Sequence, residues 1–331
     1  MILITGGAGY IGSHTVQALR ERGREVVVAD DLSEGHAPAL LGARLERGSL
    51  LDMDFVDALF RRNPLRAVVH FAARCYVGQS VESPGLYYRA NVLGTLHLLE
   101  AMARYRVPFC VFSSTCATYG EPEEQPITED TPQRPVNPYG ETKLVCERML
   151  SDFARAHDIA SVGLRYFNAA GADPEGRLGE DHEPETHLIP LVIAAALGRR
   201  SGVEVFGDDY PTRDGTCIRD YVHVADLADA HVLALEALEG ERLSGASFFN
   251  LGNERGTSVL EVIKSVESVT GRKVPYRIGP RRAGDPPMLV GSSSRIQAAL
   301  GWRPRHADID AIVGTASRWH EAHPHGWSEK R

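Results

Sequence analysis

The sequence predicts an α/β protein: a doubly wound parallel sheet followed by a smaller mixed α/β C-terminal lobe. Three observations carry this. Short apolar runs alternate with helical stretches from residue 2 to about residue 170, the pattern of strands buried on both faces and joined by crossover helices. The first run, Ile2-Leu3-Ile4, passes at once into Thr5-Gly-Gly-Ala-Gly-Tyr-Ile-Gly12, a glycine turn placed where a strand becomes a helix. Beyond Gly171 the chain turns polar and the alternation becomes irregular. The first part therefore reads as a Rossmann-like unit over 1–170 and the second as a lobe over 171–331, partly interleaved with the first.

After the glycine turn, His14 to Arg22 has helical spacing and Gly23 stops it; Glu25 to Ala29 is the second strand, ending at Asp30-Asp31. Ala67 to Phe71 reads as a strand, Tyr87 to Tyr105 as one long helix and Phe109 to Phe112 as the next strand. Tyr139 to His157 is a helix, with Pro138 suited to its first turn, and Ser161 to Arg165 is a strand. In the lobe, Gly171 to His187 reads as a long loop, Leu188 to Leu197 as a helix, Val203 to Phe206 as a strand and 207–215 as a loop. Val224 to Leu238 is helical, Ser247 to Leu251 a strand, Val259 to Thr270 a helix and Val274 to Ile278 an edge strand. The histidines of the tail, His306, His320, His323 and His325, read as a solvated terminus.

Composition narrows the function. A formal net charge of −8 disfavours nonspecific binding to nucleic acid or to an anionic membrane. No run of 18 apolar residues and no basic-then-apolar leader is present, so neither a membrane span nor a signal peptide is expected. The cysteines at 75, 110, 116, 146 and 217 form no paired spacing. A disulfide framework and a zinc pattern are both unexpected, and a reducing cytoplasmic setting is the expectation. No metal site is predicted.

The glycines imply a dinucleotide. Gly6, Gly7, Gly9 and Gly12 allow a tight turn and a close backbone approach to a pyrophosphate, which the helix start at Tyr10 and Ile11 then faces. Asp30, just past the second strand, can accept hydrogen bonds from an adenosine ribose and repels a 2′-phosphate, favouring NAD over NADP; Asp31 can share that role. No basic residue follows to receive a phosphate. Phe71, Ala72 and Ala73 end a strand with small side chains, leaving room for a cofactor across the sheet edge. Asn91 lies inside a helical pattern and can hold a neighbouring backbone.

Tyr139 and Lys143 lie four apart, on one helix face. The lysine charge is expected to favour phenolate and to lower the Tyr139 pKa, making Tyr139 a base for a hydroxyl proton. Ser113, Ser114 and Thr115 follow a strand; the Thr115 hydroxyl can orient a substrate oxygen, although such a run also serves to cap a loop.

With these motifs in place, the chain resembles the extended short-chain dehydrogenase/reductase superfamily and, within it, the UDP-glucose 4-epimerase (UDP-galactose 4-epimerase) family. Supporting segments are Phe112-Ser-Ser-Thr-Cys-Ala-Thr-Tyr-Gly120, Tyr139-Gly-Glu-Thr-Lys143, Leu164-Arg-Tyr-Phe-Asn-Ala-Ala-Gly171, Val205-Phe-Gly-Asp-Asp-Tyr-Pro-Thr212, Gly215-Thr-Cys-Ile-Arg-Asp-Tyr-Val-His-Val224 and Arg281-Arg-Ala-Gly-Asp285. The resemblance implies Tyr139, Lys143 and Thr115 as catalytic residues. It implies a cofactor site of Gly6, Gly9, Tyr10, Ile11, Gly12, Asp30, Asp31, Ser49, Leu50, Phe71, Ala72, Ala73, Asn91, Ser113, Ser114, Tyr139, Lys143 and Tyr166. It implies a UDP-sugar site of Thr115, Tyr139, Asn168, His187, Leu188, Val203, Glu204, Phe206, Arg219, Arg282, Asp285 and Leu289, in which Arg281 is an alternative to Arg282.

The implied reaction is transient oxidation at C4 of UDP-galactose or UDP-glucose by tightly held NAD, rotation of the 4-keto sugar, and return of hydride to its other face. UDP-N-acetylhexosamines or UDP-pentoses are the alternative substrates. A 4,6-dehydratase is disfavoured, because Cys116 and Ala117 stand where that chemistry needs an Asp-Glu pair. Cys75 stands where the family often has Lys near the pyrophosphate, with Arg74 as a substitute charge. Ser49 replaces a common Asp beside the adenine, His187 replaces a common Asn near the diphosphate, and Leu289 is intermediate in size at a position that sets sugar preference. A homodimer is implied, paired through residues 91–105 and 141–157.

Overall fold

The computed structural model describes residues 1–282 and 285–327. Ala283 and Gly284 of the Arg281–Asp285 segment, and the last residues of the lobe as bounded from sequence, lie outside the described residues.

The strands in chain order are β1 (Ile2–Thr5), β2 (Val26–Asp30), β3 (Arg44–Arg47), β4 (Ala67–His70), β5 (Phe109–Thr115), β6 (Ala160–Tyr166), β7 (Asn168–Ala170), β8 (Val203–Phe206), β9 (Ile218–His223), β10 (Ala246–Leu251), β11 (Gly256–Ser258), β12 (Tyr276–Gly279) and β13 (Met288–Leu289). The helices are α1 (Tyr10–Glu21), α2 (Met53–Arg62), α3 (Val77–Glu82), α4 (Pro84–Tyr87), α5 (Gly94–Tyr105), α6 (Pro138–His157), α7 (Leu188–Ala196), α8 (Val224–Glu239), α9 (Val259–Thr270), α10 (Ser294–Leu300) and α11 (Ile309–Ala322).

Seven strands form one parallel sheet in the order β10-β6-β5-β4-β1-β2-β3. The strand order reverses between β1 and β4, so their carboxyl ends open a crevice, the place where such sheets hold ligands. Apolar side chains of both faces are buried: Ile2, Ile4, Val28, Val69, Val111 and Val162 pack toward α8, while Leu3, Val27, Val68 and Phe112 pack toward α2, α5 and α6. This explains the continuous apolar runs of the sequence.

The lobe is built from small sheets. β9 is its hub, pairing with β7, β11 and β13, while β8 pairs with β12. Helices α7, α9 and α11 pack around an apolar cluster that includes Ile193, Val205, Val266 and Val313.

Several expectations need revision. The single helix foreseen from Tyr87 to Tyr105 is interrupted by a π-helical turn over Tyr88–Leu93; this turn carries Asn91 inward, where its side chain finds polar partners. The C-terminal region is not merely a solvated terminus: α11 buries Ile312, Val313 and Trp319, and the His323 ring stacks on Trp319 at 4.8 Å. β3, α2 and β9 gave no sequence signal that was recognised. β9 hides behind Arg219, Asp220 and His223, polar residues in a strand; Asp220 is fully buried and accepts backbone N–H bonds from Asn253, Glu254 and Gly291. No revision attaches to β10, which comes from well past residue 170 and lies at the edge of the main sheet beside β6.

Candidate active site

The glycine turn is crowded on one side and open on another. A Cβ on Gly6, whose φ is +69°, would lie 2.4 Å from the Ala72 nitrogen, and one on Gly12 would lie 2.3 Å from the Gly6 carbonyl oxygen. These two glycines are required by the chain's own packing. Gly9 is different: a Cβ there meets nothing nearer than the Gly6 carbonyl oxygen at 3.5 Å. Its missing side chain therefore leaves space for something other than protein. Gly9 is the N-cap of α1, makes no side-chain cap, and no acid stands in the first turn, so the leading N–H groups face an anion site. The arrangement fits a dinucleotide pyrophosphate.

Asp30 braces this turn. Its carboxylate accepts from the Ala8 N–H and the Leu32 N–H, both at 2.9 Å. Burial raises its pKa, and those two bonds act in the opposite direction. Asp31 is exposed and accepts from the Ser33 N–H. On the far side of the crevice, Phe71 and Ala72 donate backbone N–H bonds to the Thr5 carbonyl. Asn91 bonds both backbone groups of Arg74 and also donates to the Thr142 hydroxyl at 3.0 Å, tying the 71–74 segment to α6. The Arg74 guanidinium pairs with Glu34, so its charge is already engaged. The Ser49 hydroxyl accepts from the Leu51 N–H, and the Leu50 carbonyl bonds the His97 ring.

Strand alternation sorts the run at the end of β5. Ser113 bonds the Tyr166 hydroxyl, and the Thr115 hydroxyl lies close enough to Tyr139 to act on its pKa. Thr115 also accepts from the Ala117 N–H as a cap. Ser114 projects to the other face and donates to Glu147 at 2.5 Å, within a buried pair of Glu147 and Arg165. Its side chain is thus removed from the cofactor face, contrary to expectation.

Tyr139 is positioned by the start of α6. Asn137 caps the helix by accepting from the Gly140 N–H, and Pro138 occupies the first turn. A Cβ on Gly140 would lie 2.5 Å from the Ala117 carbonyl oxygen; the bare glycine brings the helix start against the turn that follows Thr115. Lys143 is 3% exposed and donates to the Ser113 carbonyl at 2.7 Å, beneath Phe112 at 4.8 Å from its ring centre.

The expected lowering of the Tyr139 pKa does not occur in the protein alone. Burial pushes it well above its ordinary value, with only the Thr115 hydroxyl among the main influences opposing. Burial likewise brings Lys143 down to about 8. Lys143 holds a carbonyl rather than the phenol, which is the physical reason that the simple two-residue argument falls short. His70, bonded between Thr5 and Thr95, is pushed down to about 3 by burial and by the Lys143 charge.

A second group assembles in the lobe. Arg219 on β9 bonds Asp285 at 3.2 Å and the Pro286 carbonyl at 2.9 Å. Arg282 forms a two-bonded pair with the same carboxylate, at 2.9 and 3.0 Å, and lies 5.6 Å from the Phe206 ring centre. Arg281 instead pairs with Asp209 and stacks on Tyr210. The geometry separates the two arginines that sequence left as alternatives. Leu289 pairs in register with Arg219 and packs against the small cluster of Tyr119, Ile127 and Phe167. Asn168, on β7, is in register with Tyr221 of β9. Val203 points into the lobe's apolar cluster, and Glu204 pairs with Arg277; neither side chain joins Arg219 and Arg282. His187 turns its Nδ1 toward Glu180 and Glu185, each at 2.9 Å, leaving Nε2 as the ring nitrogen free of those carboxylates. Leu188 starts α7 directly after it.

Sequence reasoning missed Glu180, His182 and Glu185, which gather around His187. The spacing Glu180-x-His-x-x-Glu-x-His187 was the available signal. Burial would lower both imidazole pKa values, but the two carboxylates raise His182 to about 9 and His187 to about 11.

A dinucleotide turn at a parallel-sheet crevice, with a Thr-Tyr-Lys set beside it and an arginine-rich lobe beyond, defines an enzyme of the extended short-chain dehydrogenase/reductase class. The model of the NAD dependent epimerase/dehydratase family matches residues 2–252, and the chain belongs to that family. It is 53% identical to the UDP-glucose 4-epimerase of Halalkalibacterium halodurans, over 99% of this chain and 97% of that one. It also resembles the solved UDP-glucose 4-epimerase of Brucella ovis in complex with NAD, at TM-score 0.93 and 49% identity, covering 100% of this chain and 99% of that chain. The Bifidobacterium longum UDP-glucose 4-epimerase, solved with NAD+ and UDP, matches at TM-score 0.92 and 38% identity, covering 98% and 99%.

Proposed function

We propose that this protein interconverts UDP-galactose and UDP-glucose as an NAD-dependent 4-epimerase. The observation that carries the reading is the pairing of two sites: Thr115 and Tyr139 stand beside the dinucleotide crevice, and Arg219, Arg282 and Asp285 gather on one strand and one loop of the lobe.

NAD, when bound, supplies the hydride acceptor and donor for C4. The chain does the rest. Gly9 and the start of α1 receive the pyrophosphate on a turn whose tightness Gly6 and Gly12 permit, and Asp30 receives the ribose. Phe71–Ala73 leave the crevice clear. Tyr139 takes the proton of the 4-hydroxyl and later returns one, with Thr115 orienting the oxygen. Lys143 fixes the end of β5 and contributes positive charge. Arg219 and Arg282 hold the diphosphate through planar, multi-donor contacts, Asp285 meets the uridine ribose and Phe206 flanks the base. Anchoring through UDP leaves the sugar free to turn, so binding energy is spent away from the reacting carbon.

The working division is a cofactor domain over 1–170 and a UDP-sugar lobe over 171–331. The protein acts in the cytoplasm; among the described residues no helix is long and apolar enough to cross a membrane. It pairs as a homodimer through residues 91–105 and 141–157, near which Tyr88 and Leu93 leave apolar surface exposed.

Purified protein is given UDP-galactose anaerobically with no added cofactor, and products are separated by chromatography. UDP-glucose without net NADH is expected. No conversion even with added NAD+ overturns the substrate assignment and moves the test to UDP-pentoses and N-acetylated sugars. Light scattering of the same sample reads the dimer.

A further inference from the structure

The loop between β7 and α7 brings four potential metal ligands together within eight residues, Glu180, His182, Glu185 and His187. Their donor atoms all lie within 4.8 Å of one another. His187 Nδ1 is 2.9 Å from an oxygen of Glu180 and 2.9 Å from one of Glu185. His182 Nδ1 is 3.2 Å from Glu180 and 3.6 Å from Glu185. These separations, which involve both oxygens of Glu185, lie near the ~3.3 Å ligand–ligand spacing expected for metal–ligand bonds of ~2.0–2.1 Å.

Hydrogen bonding leaves part of this unexplained. The His182 Nδ1 atom is buried and has no hydrogen-bond partner, although a Glu180 oxygen stands 3.2 Å away. The mismatch there is one of direction, not distance. The His182 imidazole also stands edge-on to two aromatic rings, 6.2 Å from Tyr10 and 6.0 Å from Tyr76, both near perpendicular. The ligand set is thus walled by the glycine turn on one side and by the segment before α3 on the other.

We propose that Glu180, His182, Glu185 and His187 form a structural site for a divalent first-row transition cation, with zinc the best match. Two imidazoles and two carboxylates suit zinc in four-coordinate form, and two negative charges neutralise the ion. The imidazole protons go to solvent as the cation enters. With all four positions supplied by protein, the site is closed and does not offer a place for substrate. Its effect is to cross-link the 180–187 loop and fix the start of α7, where His187 and Leu188 stand. The inference does not depend on the identity of the sugar, and it leaves His187 Nε2 outside the ligand set.

The test uses the full chain with its retained cofactor. Metal is removed with a chelator, Zn2+ is restored, and content after dialysis is read by mass spectrometry alongside the thermal midpoint. The expected result is about one zinc per chain and a midpoint that rises with Zn2+. His182→Ala is expected to lose both, and His323→Ala, in the C-terminal region, to keep both. Equal zinc in His182→Ala and wild type overturns the site, as does loss in His323→Ala. If His182→Ala does not fold, Co2+ absorption of the wild type decides: intense tetrahedral d–d bands support the ligand set, and weak octahedral bands reject it.

Discussion

The cofactor half and the lobe position their groups by different means. In the first half, the glycine turn, Asp30, Phe71, Ser113 and Thr115 all follow or end strands of one parallel sheet. Strand register sets their relative places, and backbone N–H bonds, such as those to Asp30 and to the Thr5 carbonyl, brace the turn. The lobe has no such frame. Phe206, Arg219, Asp285 and Leu289 come from separate short strands and a loop, and Asp285 ties Arg219 to Arg282. Its binding groups hold each other. A parallel sheet can therefore present a site through backbone geometry, whereas this lobe preorganises one through charge pairing. The consequence is that removing one member of the trio disturbs the others, and that under the proposed function a diphosphate would share two arginines with Asp285.

The sharpest way to test the sheet side is to change chemistry without changing the frame. Tyr139→Phe removes the proton acceptor and little else. Turnover is expected to fall by about 10²- to 10⁴-fold, while retained cofactor, read by absorbance of the purified protein, stays unchanged. Loss of cofactor along with activity would instead make Tyr139 part of the frame. The glycines provide the next contrast. Gly12→Ala drives a Cβ to 2.3 Å from a backbone oxygen, which is expected to cost about 1–3 kcal/mol of stability and to release cofactor. Gly9→Ala meets only ordinary contacts. Its thermal midpoint after removal of cofactor is expected to match wild type, while cofactor retention drops. Equal behaviour of the two variants would break the distinction between a glycine kept for protein and one kept for ligand.

On the lobe side, Arg219→Ala removes charge-assisted bonds worth about 1.5–3 kcal/mol, which corresponds to roughly a 10- to 100-fold rise in KM for UDP-galactose. Cofactor retention is expected to stay intact. Asp285→Asn is expected to raise KM less, since it weakens the brace while freeing both guanidinium groups for phosphate. An Asp285→Asn effect as large as that of Arg219→Ala would show that preorganisation outweighs direct contact.

The same contrast explains what could be read from the chain. The main sheet was legible because doubly buried strands leave continuous apolar runs, and because glycine spacing reports backbone geometry directly. Asn91 was legible in kind: a polar amide in a helical pattern does hold a neighbouring backbone. The lobe was legible chiefly through motif resemblance. β9 carries too many polar residues to look like a strand, since Asp220 is satisfied by backbone groups more than thirty residues away. Nor does a sequence reveal that Ser114 faces Glu147 while its neighbours face the crevice, until the strand is known to run on through Thr115. The different surroundings of Arg281, beside Asp209 and Tyr210, and of Arg282, beside Phe206, are likewise set by contacts that no sequence displays.

Lys143 offers the smallest and most specific test, because it belongs to the frame and to the chemistry together. Burial holds its pKa near about 8, below the ordinary lysine value of 10.5. Below about pH 8 the folded protein keeps a buried charge at a cost. Between about 8 and 10.5 the folded state has shed this proton while the unfolded chain still binds it. The unfolded state then holds more protons, so this group's contribution to stability rises with pH. Lys143→Met removes that dependence. Urea midpoints of the cofactor-free proteins at pH 7.5 and 9.5 are expected to shift in favour of wild type at the higher pH. Turnover should move oppositely, since loss of the lysine charge weakens the Lys143 bond to the Ser113 carbonyl at the end of β5, beside Thr115. If stability and turnover instead fall together above pH 8, the ammonium is needed to hold the end of β5 in place, and the sheet side of the comparison depends on a charge after all.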